Sequence, residues 1–189
     1  AETKLTFMTG DILELITYML AGAVGDPIQN QQERVEVEGL GGNIDGTVRD
    51  TLIDVKSMSD AAFSITQRSG MDDAFGYHTQ LEIYKAGKGL GSGAWIGINK
   101  NRGEISVFDA SHKPYLVKLA KGKKERVINS TPEQLPPRDF DLETEKKTGR
   151  LKLAMQCKFC PFKAKCWIIE ETVEGWNNSL TYYAAGPRL

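Results

Sequence analysis

Apolar and polar positions follow two different rhythms along the first half of the chain. Ile12, Ile16, Met19, Leu20 and Ala23 recur at helical spacing and form one face. This predicts a helix capped by Thr9 that runs to about Ala23 and stops near Gly25, ahead of Asp26-Pro27. Gln32 to Glu38 alternates with a period of two and reads as a strand, followed by a glycine-rich turn over Gly39 to Gly42. Two more strand-like stretches, Asn43 to Val48 and Thr51 to Lys56, flank Arg49-Asp50, a candidate tight turn. Ser57 to Gly70 fits neither rhythm. Asp72 is the expected cap of a helix carrying Gln80 and Tyr84, with Gly87 as its stop signal. After a flexible Gly87 to Gly93 stretch, Ala94 to Asn99 and Glu104 to Phe108 are expected to pair across Lys100 to Gly103. Another helix is expected to begin near Pro114. Thr131 to Pro137 is a proline-rich break, and no internal repeat is visible.

Helix, strands, helix and strands in that order predict a mixed α/β protein, with a central mixed β-sheet flanked by helices. Residues 1–135 are expected to form its core. Residues 136–189 are expected to add a cysteine-containing covering segment within the same compact unit.

The two strands around Arg49-Asp50 carry the chemistry. Side chains alternate along a strand, so Asp54 and Lys56 emerge on one side while Val55 points the other way. A two-residue loop places Asp45 opposite Asp54, with Cβ atoms roughly 5 Å apart, where like charges repel. Two carboxylates held face to face suit a cation between them. Magnesium, which keeps several waters and binds substrate phosphate, fits such a half-open site. A solvated hairpin face is the better explanation of Asp54-Val-Lys56 alone; Asp45 in register, and then the helix carrying Gln80 and Tyr84, shift the balance to chemistry. Gln80 and Tyr84, four apart on a helix, share a face that can point at a phosphate or a base.

Composition changes this picture little. The chain has 189 residues and a formal net charge of −1, so no overall basic charge announces a nucleic-acid binder. Lys118 to Arg126 is a local basic cluster, either a solvated helix end or a DNA contact through Lys118, Lys121, Lys123 and Lys124. No apolar stretch is long enough to cross a membrane and no signal peptide is visible, so a soluble, cytoplasmic protein is expected.

All three cysteines, Cys157, Cys160 and Cys166, fall within ten residues. In an intracellular chain, clustered thiols favour zinc or an iron–sulfur cluster over a disulfide. Both groups want four ligands. His112 or His78 are candidates for the fourth, as is a cysteine upstream of Ala1.

Asp45, Asp54-Val-Lys56, Gln80-x-x-x-Tyr84 and the C-terminal Cys-x-x-Cys-x-x-x-x-x-Cys together resemble the RecB-like branch of the PD-(D/E)XK nucleases. The resemblance is to its phage-encoded exonucleases, relatives of the CRISPR spacer-acquisition nucleases. Leu-Pro-Pro-Arg138, Cys166-Trp167 and Tyr-Tyr-Ala-Ala-Gly-Pro-Arg188 strengthen it. The resemblance implies a restriction-endonuclease-like fold and a Mg2+- or Mn2+-dependent DNA exonuclease acting in phage replication or recombination. It implies that Asp45 and Asp54 bind the metal with help from the Val55 carbonyl, and that Lys56 positions or activates the attacking water and stabilises charge. Gln80 and Tyr84 would contact the DNA strand or support the site. Gly10-Asp-Ile-Leu-Glu14 matches the family's first motif, which favours Glu14 as a third metal ligand; its place opposite the apolar face of the helix also fits a solvated glutamate. The cysteines would hold a four-iron four-sulfur cluster that staples the C-terminal segment to the start of the chain. DNA and phage recombination or replication proteins are the partners implied, within the host cytoplasm. A CRISPR-type nuclease trimming spacer precursors and a non-catalytic iron–sulfur DNA-binding module are the alternatives.

Overall fold

Nothing in residues 2–8 breaks a helix, and the first helix starts well before Thr9. It is α1 (Glu2–Ala23) in the computed structural model, which describes residues 2–131, 134, 136–175 and 179–187. Thr9 therefore lies inside the helix, not at its cap. The far end follows the glycine signal: Gly25 takes φ 89°, its N–H reaches Gly22 O, and the Asp26 N–H reaches Ala21 O. These two bonds satisfy carbonyls that a helix end otherwise leaves orphaned. The packing face differs from the aliphatic one expected. Ile12, Ile16, Met19 and Leu20 stay exposed, while Thr17 is buried and Tyr18 and Ala21 pack on the sheet. The surface beneath carries acids, and Tyr18 offers it both an apolar ring and a hydroxyl, which an aliphatic face could not.

Next come β1 (Arg34–Val37) and β2 (Leu40–Asn43), an antiparallel hairpin with Val37 opposite Leu40. Its turn is only Glu38 and Gly39, at φ 52° and 68°. Gly41 and Gly42, expected in the turn, are strand residues for a different reason. A Cβ on Gly42 would stand 2.5 Å from the Tyr84 hydroxyl, so the missing side chain is what lets a helix lie close. The strand expected from Asn43 begins only at Gly46, as β3 (Gly46–Val48). It pairs antiparallel with β4 (Thr51–Met58) across Arg49-Asp50, with Val48 opposite Thr51.

The unassigned stretch is α2 (Asp60–Ser69), whose first turn is capped by the Ser59 hydroxyl accepting the Ala62 N–H. It is followed by α3 (Tyr77–Lys88). Asp72 does not cap α3. Its carboxylate accepts the Ala74 N–H, and Asp73 instead takes the His78 N–H at 2.9 Å. Gly87 does not stop α3 either; Gly89 does, at φ 73°. Then come β5 (Ser92–Asn99), β6 (Ile105–Asp109) and α4 (Tyr115–Ile128). The sheet order is β3-β4-β5-β6, antiparallel except for the parallel pair β4–β5, for which α2 and α3 form the crossover. Ile28, Ile53 and Ala94 pack with α1 on one face. On the other, Leu52 and Trp95 meet Leu81 of α3, and Phe63 of α2 meets Phe108 edge-on.

Contacts divide the chain into two units, Ala1–Asn129 and Ser130–Leu189. The expected boundary after residue 135, like Arg188 and part of the proline-rich break, lies outside the described residues. The second unit holds β7 (Glu143–Thr144), β8 (Leu151–Lys152), α5 (Met155–Phe159), α6 (Lys163–Cys166), β9 (Trp167–Glu174) and β10 (Leu180–Pro187). Its strands form a four-stranded antiparallel sheet, β7-β8-β10-β9, around Leu153, Trp167 and Ala184, with Cys157 and Cys166 against them. The protein is thus mixed α/β, with a helix-flanked mixed sheet followed by a cysteine-containing segment. Among the described residues, no helix is long and apolar enough to cross a membrane.

Candidate active site

Gly46 aims the first acid. Its φ of 152° is open to glycine, and a Cβ there would stand 2.3 Å from Ile28 Cγ2 and 2.7 Å from Gln29 O. The ladder of β3 and β4 ends at this residue, opposite Ile53, so the next pair in register would be Asp45 and Asp54. Asp45 turns its carboxylate onto β4 beyond the ladder, where Oδ2 accepts the Val55 N–H at 2.6 Å.

Asp54 is 2% exposed. Lys56 Nζ donates to its Oδ1 at 3.1 Å and stands 2.9 Å from Oδ2 without hydrogen-bond geometry. Among the described residues, the buried Oδ2 has no hydrogen-bond donor. The same ammonium donates to Gln80 Oε1 at 3.2 Å and lies 5.0 Å over the Tyr77 ring, and Gln80 Nε2 donates to the Tyr84 hydroxyl at 3.3 Å. One relay therefore links Asp54, Lys56, Gln80 and Tyr84.

Glu14 reaches the same place from α1. The Tyr18 hydroxyl bonds to Glu14 Oε1 and stands 2.7 Å from the Asp45 carbonyl oxygen, while Gln32 Nε2 donates to Glu14 Oε1 at 2.6 Å. Burial, then the Glu14 carboxylate, pushes the Tyr18 phenol above its ordinary range. Burial also raises Asp45 to about 7, helped by the charge of Asp54. Asp54 is raised by burial against the pull of Lys56. Two carboxylates raised by desolvation, with Asp54 adding to the rise of Asp45 and Glu14 to that of Asp54, and one of them with an oxygen that receives no hydrogen bond, are a donor set that fits a divalent cation. Glu14 is less committed, since Tyr18 and Gln32 already occupy its oxygen. Among the described residues, no three His, Cys, Asp or Glu side chains gather as a metal-holding set.

The raised Asp45 has a consequence for the metal-free protein. The folded chain keeps a proton up to about pH 7 that the unfolded chain, with an ordinary carboxyl near 3.9, has already lost. This contribution is complete below about pH 4 and disappears as pH rises through about 7, at up to about 1.4 kcal/mol per unit. Urea denaturation across this window should show wild type losing stability, and Asp45→Asn should flatten the loss.

The remaining expected residues are scattered. Val55 meets Asp45 through its N–H. Lys118, Lys121, Lys123 and Lys124 lie on α4, where Lys121 pairs with Glu38 at 2.5 Å and Lys124 donates to Gly39 O at 2.6 Å, so the β1–β2 turn engages two of them. Cys157, Cys160 and Cys166 are free thiols around α5 and α6, and burial pushes Cys157 up. As described, the three thiols do not complete a four-ligand set. His78 and His112, the expected candidates for a fourth ligand, belong to the first unit, where His78 contacts Met71 O at 3.0 Å and Trp95 edge-on and His112 lies 3.3 Å from Glu82.

Sequence reasoning missed Tyr18, Gln32 and Tyr77. Tyr18 is one helical turn after Glu14, a spacing that could have revealed it. It also missed Glu82 and Lys85, a fully buried ion pair at 2.7 Å on α3, in which Glu82 further accepts the Lys113 N–H at 2.6 Å.

No family model and no curated protein matches the chain. Among solved structures it is similar to one described as "Crystal structure of SSO0001", at 17% identity and a TM-score of 0.47. That match covers 85% of this chain and 69% of the other.

Proposed function

We propose that the chain is a Mg2+- or Mn2+-dependent deoxyribonuclease that hydrolyses phosphodiester bonds at DNA ends, in the service of phage replication or recombination. The supporting observation is the half-buried Asp45 beside the buried Asp54, with Lys56 ion-paired to Asp54 and hydrogen-bonded to Gln80. Asp45 and Asp54 would hold the cation, with Glu14 beside them. When bound, the ion supplies a more acidic water and withdraws charge from the phosphate.

The chain's own groups do the rest. The Lys56 ammonium is fixed between Asp54 and Gln80, and it donates a hydrogen bond to the charge that grows on a phosphate oxygen in the transition state. Gln80 orients Lys56, Tyr84 orients Gln80, and the Tyr77 ring covers one side of the ammonium. The cysteines are proposed as ligands of a four-iron four-sulfur cluster or zinc on their spacing alone, and no step uses them. The visible spectrum of anaerobically purified protein separates iron from zinc.

End-labelled linear duplex and covalently closed circular DNA, each incubated with Mg2+ or Mn2+ and with a chelator, test the nuclease reading. The expected result is release of nucleotides from the linear DNA only, and only with the cation. No hydrolysis with either cation would refute the nuclease, and equal attack on closed circles would refute the preference for ends.

A further inference from the structure

One stretch of the second unit carries basic charge with no acid among it. From Arg150 to Ile169 the chain carries five basic residues and no acid, in a protein whose net charge is −1. Arg150 pairs with Glu171 at 2.6 Å and Lys152 approaches Glu143 at 3.9 Å. Lys158, Lys163 and Lys165 differ: among the described residues none of them pairs with a carboxylate. Between them, Phe159 and Phe162 are 73% and 60% exposed, although Leu153, Trp167 and Ala184 already fill the core of this unit. Lys165 Nζ lies 6.0 Å from the Phe162 ring and Lys163 Nζ lies 4.9 Å from the Tyr182 ring, so cations and rings share one surface.

We propose that this α5–α6 turn is a contact for single-stranded DNA, with Phe159 and Phe162 stacking on bases and Lys158, Lys163 and Lys165 meeting phosphates. Rings interleaved with cations match the alternation of base and phosphate along a strand. In a duplex the base faces are hidden, so the rings find nothing to stack on. A membrane surface calls for a continuous apolar helix face, and α5 and α6, at five and four residues, are too short to supply one. The contact goes beyond the proposed nuclease reading and does not need catalysis to be measured.

The test is fluorescence anisotropy of a labelled oligothymidine with the full chain carrying Asp54→Asn, without added divalent cation. Tighter binding of the oligothymidine than of a duplex of equal length is expected. Phe159→Ala with Phe162→Ala should weaken binding by about tenfold or more. Lys163→Gln with Lys165→Gln should lower the slope of log K against log salt by about 1.4, at about 0.7 per single-strand phosphate. Unchanged binding by the Phe variant, equal affinity for duplex, or binding only to anionic phosphatidylglycerol vesicles would overturn the proposal. If wild type fails to hydrolyse DNA while Phe-dependent binding persists, the nuclease reading falls and this contact stands.

Discussion

Asp54→Asn and Lys56→Ala should each lower cation-dependent DNA hydrolysis by at least about 10³-fold, at the upper end of what one stabilising donor contributes in a water-poor site. Their effects on stability should run in opposite directions. Burial raises Asp54 even with Lys56 beside it, so the carboxylate is kept at a cost to the metal-free fold. Asn removes the charge and should leave the chain as stable as wild type or more so, a common relation between stability and activity. Lys56→Ala leaves a 2% exposed carboxylate without its counter-charge and should destabilise. Initial rates on linear DNA, together with urea midpoints, separate lost chemistry from lost folding. Equal rates for wild type and both variants would show the site to be wrongly assigned.

The second large effect is expected away from the site. Lys85→Met removes the cation from a pair in which Lys85 is 0% and Glu82 3% exposed. Glu82 would keep the Lys113 N–H and the neighbouring His112, but its charge would remain buried without its ammonium. The expected loss is about 3–5 kcal/mol, read from denaturant unfolding. Replacing both residues, as Glu82→Gln with Lys85→Met, should recover a large part of it. Glu82 ties α3, which carries Gln80 and Tyr84, to the segment that leads into α4, so loosening the pair should also slow hydrolysis. A single variant as stable as wild type would mean that the pair contributes nothing.

The hairpin was legible because its constraints are local. Two residues, Arg49 and Asp50, are enough to fix the register, and alternation along β4 then puts Asp54 and Lys56 on one face. The link from Gln80 to Tyr84 was legible from helical spacing alone. What remained hidden depends on tertiary partners. The aliphatic stripe of α1 has the pattern of a buried face, but pattern does not say which face a neighbour wants, and the neighbour took Thr17 and Tyr18. Glycines were overread as turns. Gly42 and Gly87 sit within regular elements because Tyr84 and the β1 backbone come close to them. Glu82 and Lys85 look like any solvated helical charges in the sequence, and only packing shows them buried. The sheet of the second unit pairs strands of two and eight residues, too uneven a pattern to announce itself.

The central claim is that Asp45 and Asp54 form a cradle for a divalent cation. Calorimetric titration of Mn2+ into metal-free wild type and Asp54→Asn, in buffers of different ionisation enthalpy near pH 6.5, tests it most directly. Asp45, raised to about 7, must lose its proton to take a cation, so wild type should bind Mn2+ with proton release that fades by about pH 8. Asp54→Asn should bind far more weakly. Mn2+ binding of equal strength by the two proteins, or binding with no proton release at pH 6.5, would contradict the account.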